Sequence, residues 1–531
     1  MVGHATRDLD VAPGNTHRAA AALLVIFWCT LLGCADESTA NGDGPALPSP
    51  VVTNGAGAST TDAPANAAAA NGSEVPMTAD GAGQAGSGAA GADGSDSASE
   101  TAAGDDAATD AAATADPPAS CADAALAYQL ETTPLDSSFA PAAPAQVWSG
   151  EVAHTPVAVA ADGTVYVGFN VAGGGAMIVR SDAPAGGGFS LPDAAMGALA
   201  ATADGVAALL FDPNPTVDSR TWATVVRLGS DGSPVFQSDL FRSPNLDDVD
   251  TKGGAASGVL AYIAETDTLV PYLGHTQRYD DGVRHQGGYL ATIDASGNQS
   301  VISGWFGSHN LSQRILVDGA RVVTLGLGDA FPKGIFLNYA EGARLQPQVI
   351  YRLAADGVGS ANAKLGGMVD LGSDIALPFI TNLSISQDLD AGAWPNTDEA
   401  ISMQIRDAAA NGTDLGLLLA PKGATPGAEL APSWIDLTPS PGARLSRLRS
   451  APYGADMILL GWAELTGSEW NPTATFFTMV VDSSGAICQP ATQLPAGHGW
   501  ASGDDIKALP DGSITWANAE GGGIQLVRLV P

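Results

Sequence analysis

The stretch Val157-Ala158-Val159-Ala160-Ala161-Asp162-Gly163-Thr164-Val165-Tyr166-Val167 decides the fold of this chain. Two runs rich in β-branched and aliphatic residues flank an Asp-Gly pair. This dipeptide favours tight hairpin turns, because glycine, and to a lesser extent aspartate, tolerates positive φ. The stretch therefore predicts two short antiparallel strands joined by a tight turn. A loosely similar stretch, Ile506-Lys507-Ala508-Leu509-Pro510-Asp511-Gly512-Ser513-Ile514-Thr515-Trp516, predicts the same hairpin far along the sequence.

Turn dipeptides of this kind recur throughout residues 121–531 and predict further hairpins. They are Asp162-Gly163, Asp204-Gly205, Asp231-Gly232, Asp318-Gly319, Asp356-Gly357 and Asp511-Gly512, together with Ser484-Gly485. No long apolar stripe with a period of 3.6 residues is present, which argues against a helical or α/β domain.

The hairpins repeat in units of roughly 45 to 65 residues, which is typical of an array of small sheets. An inner strand, an Asp-Gly turn and a second strand form the core of a β-propeller blade. We therefore predict an all-β head, a β-propeller with seven blades, with six or eight as the neighbouring counts. A large β-sandwich, or two in tandem, is the alternative fold.

Residues 35–120 differ completely in composition from the rest of the chain. They contain 13 acidic residues and no Lys, Arg, His, Cys or aromatic residue. Such a segment buries too little apolar surface to offset the entropy of ordering it. We predict a disordered acidic tether over residues 34–120 and a folded head over residues 121–531.

The N-terminal region contains an apolar run of 14 residues, from Ala19 to Leu32, which ends in Leu31-Leu32-Gly33-Cys34. The run is too short to span a bilayer and has the length of a signal-peptide core. Its end resembles the lipobox of bacterial lipoproteins, which implies a signal peptide over residues 1–33 and lipidation of Cys34. The protein is then exported and held on the membrane by its lipid. Ala35, where an acidic residue would retain it in the inner membrane, favours the outer membrane. The alternative is cleavage elsewhere, with Cys34 incidental.

The predicted head carries 42 acidic and 20 basic residues. Phosphate backbones repel such a surface, so nucleic acid is excluded as a partner class. The sequence predicts no cofactor, although the charge is compatible with a divalent cation.

Cys121 and Cys488 are the two cysteines left to the head, and in an oxidising compartment we expect them to form a disulfide. The alternative is that both stay unpaired.

The segment between His275 and Lys333 contains three of the five histidines of the head, interleaved with Arg, Asp and Gly. Its Ser308-His309, Gln313-Arg314 and Gly328-Asp329-Ala330-Phe331-Pro332-Lys333-Gly334 resemble a phrase of bacterial propeller-like surface proteins, a likeness that implies no activity. One interpretation is a ligand-binding site on one face of the ring; its residues would be His275, His285, His309, Arg314 and Asp329. The other is a buried hydrogen-bond network between neighbouring blades.

The sequence lacks the common enzyme signatures: H-E-x-x-H, the P-loop, C-x-x-C and G-x-S-x-G are all absent. We therefore predict no catalytic residues. The leading hypothesis is a binding or interaction protein of the cell envelope that recognises a protein or glycan. The alternatives are a hydrolase or lyase acting on extracellular polysaccharide and a purely structural envelope component.

Overall fold

The computed structural model describes residues 53–54, 121, 128–135, 140–142, 153–183, 188–211, 223–240, 249–250, 257–278, 284–306, 310–329, 333–341, 344–345, 349–353, 363–381, 385–388, 413–422, 433–437, 443–454, 456–467, 472–519 and 523–531. These residues form seven antiparallel sheets that follow one another along the chain, which is the seven-bladed propeller predicted from the hairpin rhythm. The sandwich alternative is wrong. Within the described residues, no helix has the length and hydropathy needed to cross a membrane.

The first three blades each have an inner strand followed by three strands that lie progressively further out. Blade one consists of β3 (Val157–Val159), β4 (Val165–Asn170), β5 (Ala176–Arg180) and β6 (Phe189–Leu191). Blade two consists of β7 (Ala195–Ala201), β8 (Gly205–Phe211), β9 (Ala223–Gly229) and β10 (Pro234–Asp239). Blade three consists of β12 (Gly258–Ile263), β13 (Thr268–Arg278), β14 (Arg284–Ile293) and β15 (Gln299–Phe306), with β11 (Val249–Asp250) paired to β13 and a 3-10 turn at Ala264–Thr266.

Blades four to six keep this plan with additions. Blade four consists of β16 (Asn310–Asp318), β17 (Arg321–Asp329), β18 (Lys333–Glu341) and β20 (Val349–Leu353), extended by β19 (Arg344–Leu345) and by β24 (Ile385–Asp388) at its edge. Blade five consists of β21 (Lys364–Leu365) and β22 (Val369–Asp370), then β23 (Asp374–Thr381), β25 (Asp414–Pro421) and β26 (Ser433–Asp436). Blade six consists of β27 (Arg444–Tyr453), β28 (Met457–Gly467), β29 (Pro472–Asp482) and β30 (Ile487–Gln493). Because β24 leaves blade five to pair with blade four, the blades differ in length, and no fixed repeat is visible in the sequence.

Blade seven closes the ring by combining both ends of the head. Its strands are β31 (Lys507–Ala508), β32 (Ile514–Asn518), β33 (Gln525–Val530) and, outermost, β2 (Gln129–Pro134). Cys121 forms a disulfide with Cys488 on β30, so the start of the head is also bonded to blade six. The structure thus contains the disulfide that the sequence predicts, and both closures resist opening of the ring.

The described buried side chains form seven apolar clusters, one for each seam between neighbouring blades. The last seam shows the principle: Val167 and Phe169 of blade one pack with Ala517 and Leu526 of blade seven. Each sheet is therefore covered on both sides by its neighbours, which explains why its central strands are apolar at nearly every position rather than at every second one. Val206, Ala207, Ala208 and Leu209 on β8 are all fully buried.

The two faces of the ring follow from strand direction. We call the face where the inner strands begin the upper face, and the face where they end the lower face. Because successive strands are antiparallel, the turns after first and third strands lie on the lower face. Every described Asp-Gly pair of the sequence lies there between paired strands, for example Asp162-Gly163 between β3 and β4. Gly163 has a φ of 88°, the left-handed conformation for which glycine was expected.

A short strand also falls within the range predicted as a tether: β1 (Thr53–Asn54) pairs antiparallel with β6 at the edge of blade one. The other residues of that range, and the predicted signal peptide with Cys34, lie outside the described residues. The tether, the anchor and the outer-membrane location therefore stay predictions.

Candidate functional site

A central channel of about 450 Å³ runs between the inner strands of the ring. All seven blades contribute to its wall through Pro156–Val159, Gly197–Ala201, Gly258–Tyr262, Arg314–Val317, Gly367–Met368, Ser450–Pro452 and Asp505–Ala508. Most of these residues are small or aliphatic. Among the described lining residues the charged ones are Arg314, Asp505 and Lys507. They lie toward the upper face, where β16 and β31 begin.

Arg314 joins blade four to blade five. Its side chain is 5% exposed, and the guanidinium donates to the carbonyl oxygens of Gln313 at 2.8 Å, Leu365 at 2.9 Å and Gly366 at 3.1 Å. The last two carbonyls precede β22, the inner strand of the next blade. The structure therefore places this predicted site residue in an interblade network that also borders the channel, so it combines features of both sequence-based interpretations.

Arg449 occupies the equivalent place between blades six and seven. This fully buried side chain donates to the carbonyl oxygens of Leu448, Ser502 and Asp504. As with Arg314, one bond goes to the preceding residue and two go to the segment before the next inner strand. The carbonyls are neutral, so these bonds satisfy donors without neutralising either cation.

Asp505 faces these cations from the wall of blade seven. Its Oδ1 lies 3.7 Å from Nε of Arg449, and its Oδ2 lies 3.2 Å from Nζ of Lys507. Burial alone would raise the pKa of this carboxyl. The positive charges of Lys507, Arg314 and Arg449 outweigh burial and lower the pKa to about 2. Asp505 is therefore ionised at neutral pH.

Asp504 points the other way and binds blade one. Its Oδ1 accepts hydrogen bonds from the backbone N–H groups of His154 and Thr155, both at 2.7 Å, and its Oδ2 accepts the Thr155 hydroxyl at 2.8 Å. The residue is 1% exposed. Burial raises its pKa, and the hydrogen bonds from Thr155 and His154 act against that rise. Both oxygens are thus occupied in the seam between blades seven and one.

His275 lies on β13 and is fully buried. Its ring stands edge-on to Tyr289 with centroids 5.8 Å apart. Burial lowers the pKa of His275 to about 4, although backbone interactions with Gly304 and Gly288 favour the protonated form. The imidazole is therefore neutral at pH 7 and is part of the packing of blade three.

The backbone places two further predicted residues near the upper face. His285 lies near the start of β14, opposite Gln277, and Asp329 ends β17, opposite Lys333. Their side chains and the whole of His309 lie outside the described residues. The fold therefore brings His275, His285 and Asp329 to the upper ends of strands in blades three and four, while Arg314 lies further inward on β16.

Sequence reasoning missed Arg449, Asp504, Asp505 and Lys507. A signal for three of them was present, because Asp504-Asp505-Ile506-Lys507 leads into the second hairpin that suggested the fold. Charged residues at the start of an inner strand face the channel, since that strand borders it. Arg449 had no such signal, because Leu448-Arg449 matches Gln313-Arg314 only once the blades are superimposed in register.

A metal site needs several ligand atoms that lie close together and are free to coordinate. Within the described residues, the one trio with metal-ligand spacing is Cys121, Asp482 and Cys488. Both cysteines are bonded to each other and supply no thiolate.

No protein-family model matches the sequence, and no curated protein matches it at a significant level. Solved structures match over most of the chain at low identity. An α-L-arabinanase of Penicillium chrysogenum in complex with arabinobiose is 10% identical, with a TM-score of 0.40, covering 75% of this chain and 98% of the arabinanase. A polysaccharide lyase is 11% identical, with the same TM-score and coverages. With TM-scores below 0.5, these similarities carry no argument about the chemistry of this chain.

Proposed function

We propose that this protein is a lipid-anchored binding protein of the cell envelope and that its propeller head takes a ligand at the upper end of the channel. The observation that carries the proposal is the channel itself. It has the volume of a small-molecule site, is lined by all seven blades, and carries its described charges at one end. Its wall exposes polar and apolar surface in similar amounts, and a few placed polar groups orient ligands in sites of this kind.

The anchoring part of the proposal rests on the sequence. Leu31-Leu32-Gly33-Cys34 resembles a lipobox, and the acidic tether would separate the head from the membrane. A disulfide between Cys121 and Cys488 is consistent with export to an oxidising compartment. The outer membrane is the proposed location.

Asp505 is the one carboxyl among the described residues that line the channel, and its charge state favours binding over acid-catalysed hydrolysis of a glycoside. A general acid must hold a proton near neutral pH and reach the substrate. Asp505 is ionised by the surrounding cations, and Asp504 directs both oxygens into the seam with blade one. Neither carboxyl is suited to donate a proton to a ligand in the channel.

An array of defined neutral and acidic oligosaccharides, probed with the purified full chain, tests the proposal. We compare wild type with Ala261→Trp, which fills the channel, and with Thr266→Trp, which adds the same indole on the exposed 3-10 turn of the lower face. We expect saturable binding that is lost in Ala261→Trp and kept in Thr266→Trp. Binding that survives the channel substitution, or cleavage of the bound glycan, would overturn the proposal; circular dichroism verifies that both variants are folded.

A further inference from the structure

The disulfide of the head lies beside a buried carboxylate. Asp482 ends β29 and is 3% exposed, and the bonded Cys121 and Cys488 are 2% and 7% exposed. The two sulfur atoms and a carboxylate oxygen of Asp482 all lie within 4.8 Å of one another. A disulfide carries no charge, and burying a carboxylate is costly. Covalent cross-linking alone therefore does not explain why the three groups lie together.

The turn that begins at Asp482 explains the role of one of its oxygens but not the burial of the side chain. Oδ1 accepts the backbone N–H groups two and four residues later, both at 2.9 Å. Asp294 on blade three forms the same turn between β14 and β15, with the same two bonds at 2.9 Å. The side chain of Asp294 is exposed. The turn therefore forms with its carboxylate in water, so the burial of Asp482 beside two sulfur atoms is a separate feature of blade six.

The fold holds Cys121 and Cys488 close together through other contacts besides their covalent bond. Both pack in the apolar cluster between blades six and seven, which also contains Trp516 and Val527. The start of the head is paired to blade seven as well, because β2 is hydrogen-bonded to β33 along its whole length. We therefore expect the ring to stay folded when the disulfide is reduced, with both thiols within reach of Asp482.

Reduction changes what these three side chains can bind. A dithiol reductant gives two electrons and two protons to the disulfide, which becomes two thiols while the reductant becomes a cyclic disulfide. Zn²⁺ then displaces both thiol protons and is bound by two thiolates and one carboxylate oxygen. Thiolate and carboxylate are ligand types that zinc accepts, and a water completes its tetrahedral set. The cation also offsets the cost of burying the three negative groups.

We propose that reduction of the disulfide creates a zinc site formed by Cys121, Cys488 and Asp482. The site goes beyond the proposed function, because it lies at the lower face of blade six and shares no residue with the channel. Since the metal joins the same two cysteines, it restores the closure that reduction removes. The head is then closed by a covalent bond under oxidising conditions and by a metal under reducing conditions.

Metal competition on the purified full chain tests the proposal. The chain is reduced with a dithiol, separated from the reductant without air, and titrated with Zn²⁺ against a chromophoric chelator. We expect the reduced wild type to take up about one zinc ion per chain and the oxidised wild type to take up none. Zn²⁺ should also raise the melting temperature of the reduced chain alone, because a ligand of the native state stabilises it. Ca²⁺, which prefers oxygen ligands, should not reproduce this difference.

Asp482→Asn tests the part played by the carboxylate. The asparagine oxygen can still accept the two backbone bonds of the turn, but the negative charge is lost. The zinc affinity of the reduced chain should therefore fall by at least about tenfold. Asp294→Asn makes the same change in the matching turn of blade three and should leave the zinc affinity unchanged. Circular dichroism verifies that each reduced variant is folded.

Three kinds of result would overturn the proposal. The first is equal zinc uptake by the oxidised wild type or by the Cys121→Ser, Cys488→Ser double variant, which would assign the binding to surface carboxylates. The second is a zinc affinity that Asp482→Asn leaves unchanged or that Asp294→Asn lowers equally. The third is a reduced chain that unfolds and is not refolded by Zn²⁺. Glycan binding is measured on the oxidised chain, so neither result decides the other.

Discussion

The two faces of the propeller supply different partners to their buried arginines. On the lower face, the buried Arg227 pairs directly with two carboxylates that water reaches: it contacts Asp204 and Asp267, each at 2.8 Å, and those carboxylates are 52% and 41% exposed. At the upper end, Arg314 and Arg449 are buried and bond to neutral carbonyls. Contacts with solvent-exposed partners contribute less to stability than contacts in which both partners are buried. We therefore expect the larger contribution to stability at the upper end, where the proposed ligand would also bind.

Replacement of one arginine on each face should give the largest difference in the free energy of unfolding. Arg449→Met removes the hydrogen-bond donor to the carbonyls of Leu448, Ser502 and Asp504. It also removes one of the cations near Asp505. We expect a loss of about 3–5 kcal/mol in the free energy of unfolding. Denaturant titration of the oxidised full chain measures it.

Arg180→Met is the matched control on the lower face. Arg180 also reaches the next blade, donating to the carbonyl of Ser230 at 2.6 Å, and it pairs with Asp182. Because its partners are partly solvated, we expect a loss below about 1 kcal/mol. Equal losses in the two variants would contradict the contrast between the two ends.

Removal of the disulfide measures how much covalent closure of the ring contributes to the free energy of unfolding. Cys121 and Cys488 are 367 residues apart, and chain entropy predicts a larger effect for longer loops. We expect the Cys121→Ser, Cys488→Ser double variant to lose about 2–5 kcal/mol. Reductant should lower the melting temperature of wild type and leave that of the double variant unchanged. A response of the double variant to reductant would exclude this disulfide as the cause.

As pH falls, the contribution of the buried His275 to stability should be lost before that of the turn carboxyls on the lower face. Burial holds the pKa of His275 at about 4, below the ordinary value of 6.5, so the unfolded chain binds a proton between these values that the native state does not. Stability is then fully present above pH 6.5 and declines as pH falls toward 4, by roughly 3 kcal/mol. Turn hydrogen bonds lower the pKa of lower-face carboxyls such as Asp294, so their contribution is lost only at more acidic pH.

Denaturant titrations at pH 7 and pH 4.5 check the role of His275. His275→Phe keeps a planar ring next to Tyr289 and removes the titrating group, so the pH dependence in this interval should flatten. An unchanged pH dependence in the variant would assign it to other groups.

The lower face could be predicted from the sequence because its structure is local. An Asp-Gly turn is specified by neighbouring residues: the carboxylate of Asp511 accepts the backbone N–H of Ser513 at 3.0 Å, and Gly512 supplies a φ of 84°. Such turns gave the hairpins, and the hairpins gave the seven blades. The sequence shows no fixed repeat length, because the blades differ in the number of residues they span. One cause is β24, which follows β23 of blade five in the chain but pairs with blade four.

The upper end could not be predicted in the same way because its contacts are distant in sequence. Asp504 binds Thr155 across 349 residues, and Arg449 reaches Ser502 across 53. Nothing near Arg449 indicates which carbonyls it will meet. His275 and Arg314 were identified by their residue types, yet their partners, Tyr289 for one and Leu365 for the other, depend on register within a blade and docking between blades.

The smallest effect is expected where a lower-face ion pair crosses a seam. Lys422 of blade five contacts Asp318 of blade four at 2.8 Å and Asp370 of its own blade at 2.7 Å. The hydrogen bonds that Lys422 donates to these carboxylates raise its pKa, so the site favours the charged form. Water and salt still reach the pair, so Lys422→Met should cost less than about 1 kcal/mol, and the cost should shrink as salt is added.

This prediction separates contacts between blades from ligand binding, since Lys422 bridges two carboxylates on the lower face and Lys507 pairs with Asp505 at the upper end. Denaturant titrations at low and high salt measure the stability of Lys422→Met, and the oligosaccharide array measures its affinity for a ligand of the channel. A stability loss as large as that of Arg449→Met would mean that both faces hold the blades equally. A loss of affinity would mean that the upper end depends on the docking of blades four and five, because Arg314 spans that same seam from above.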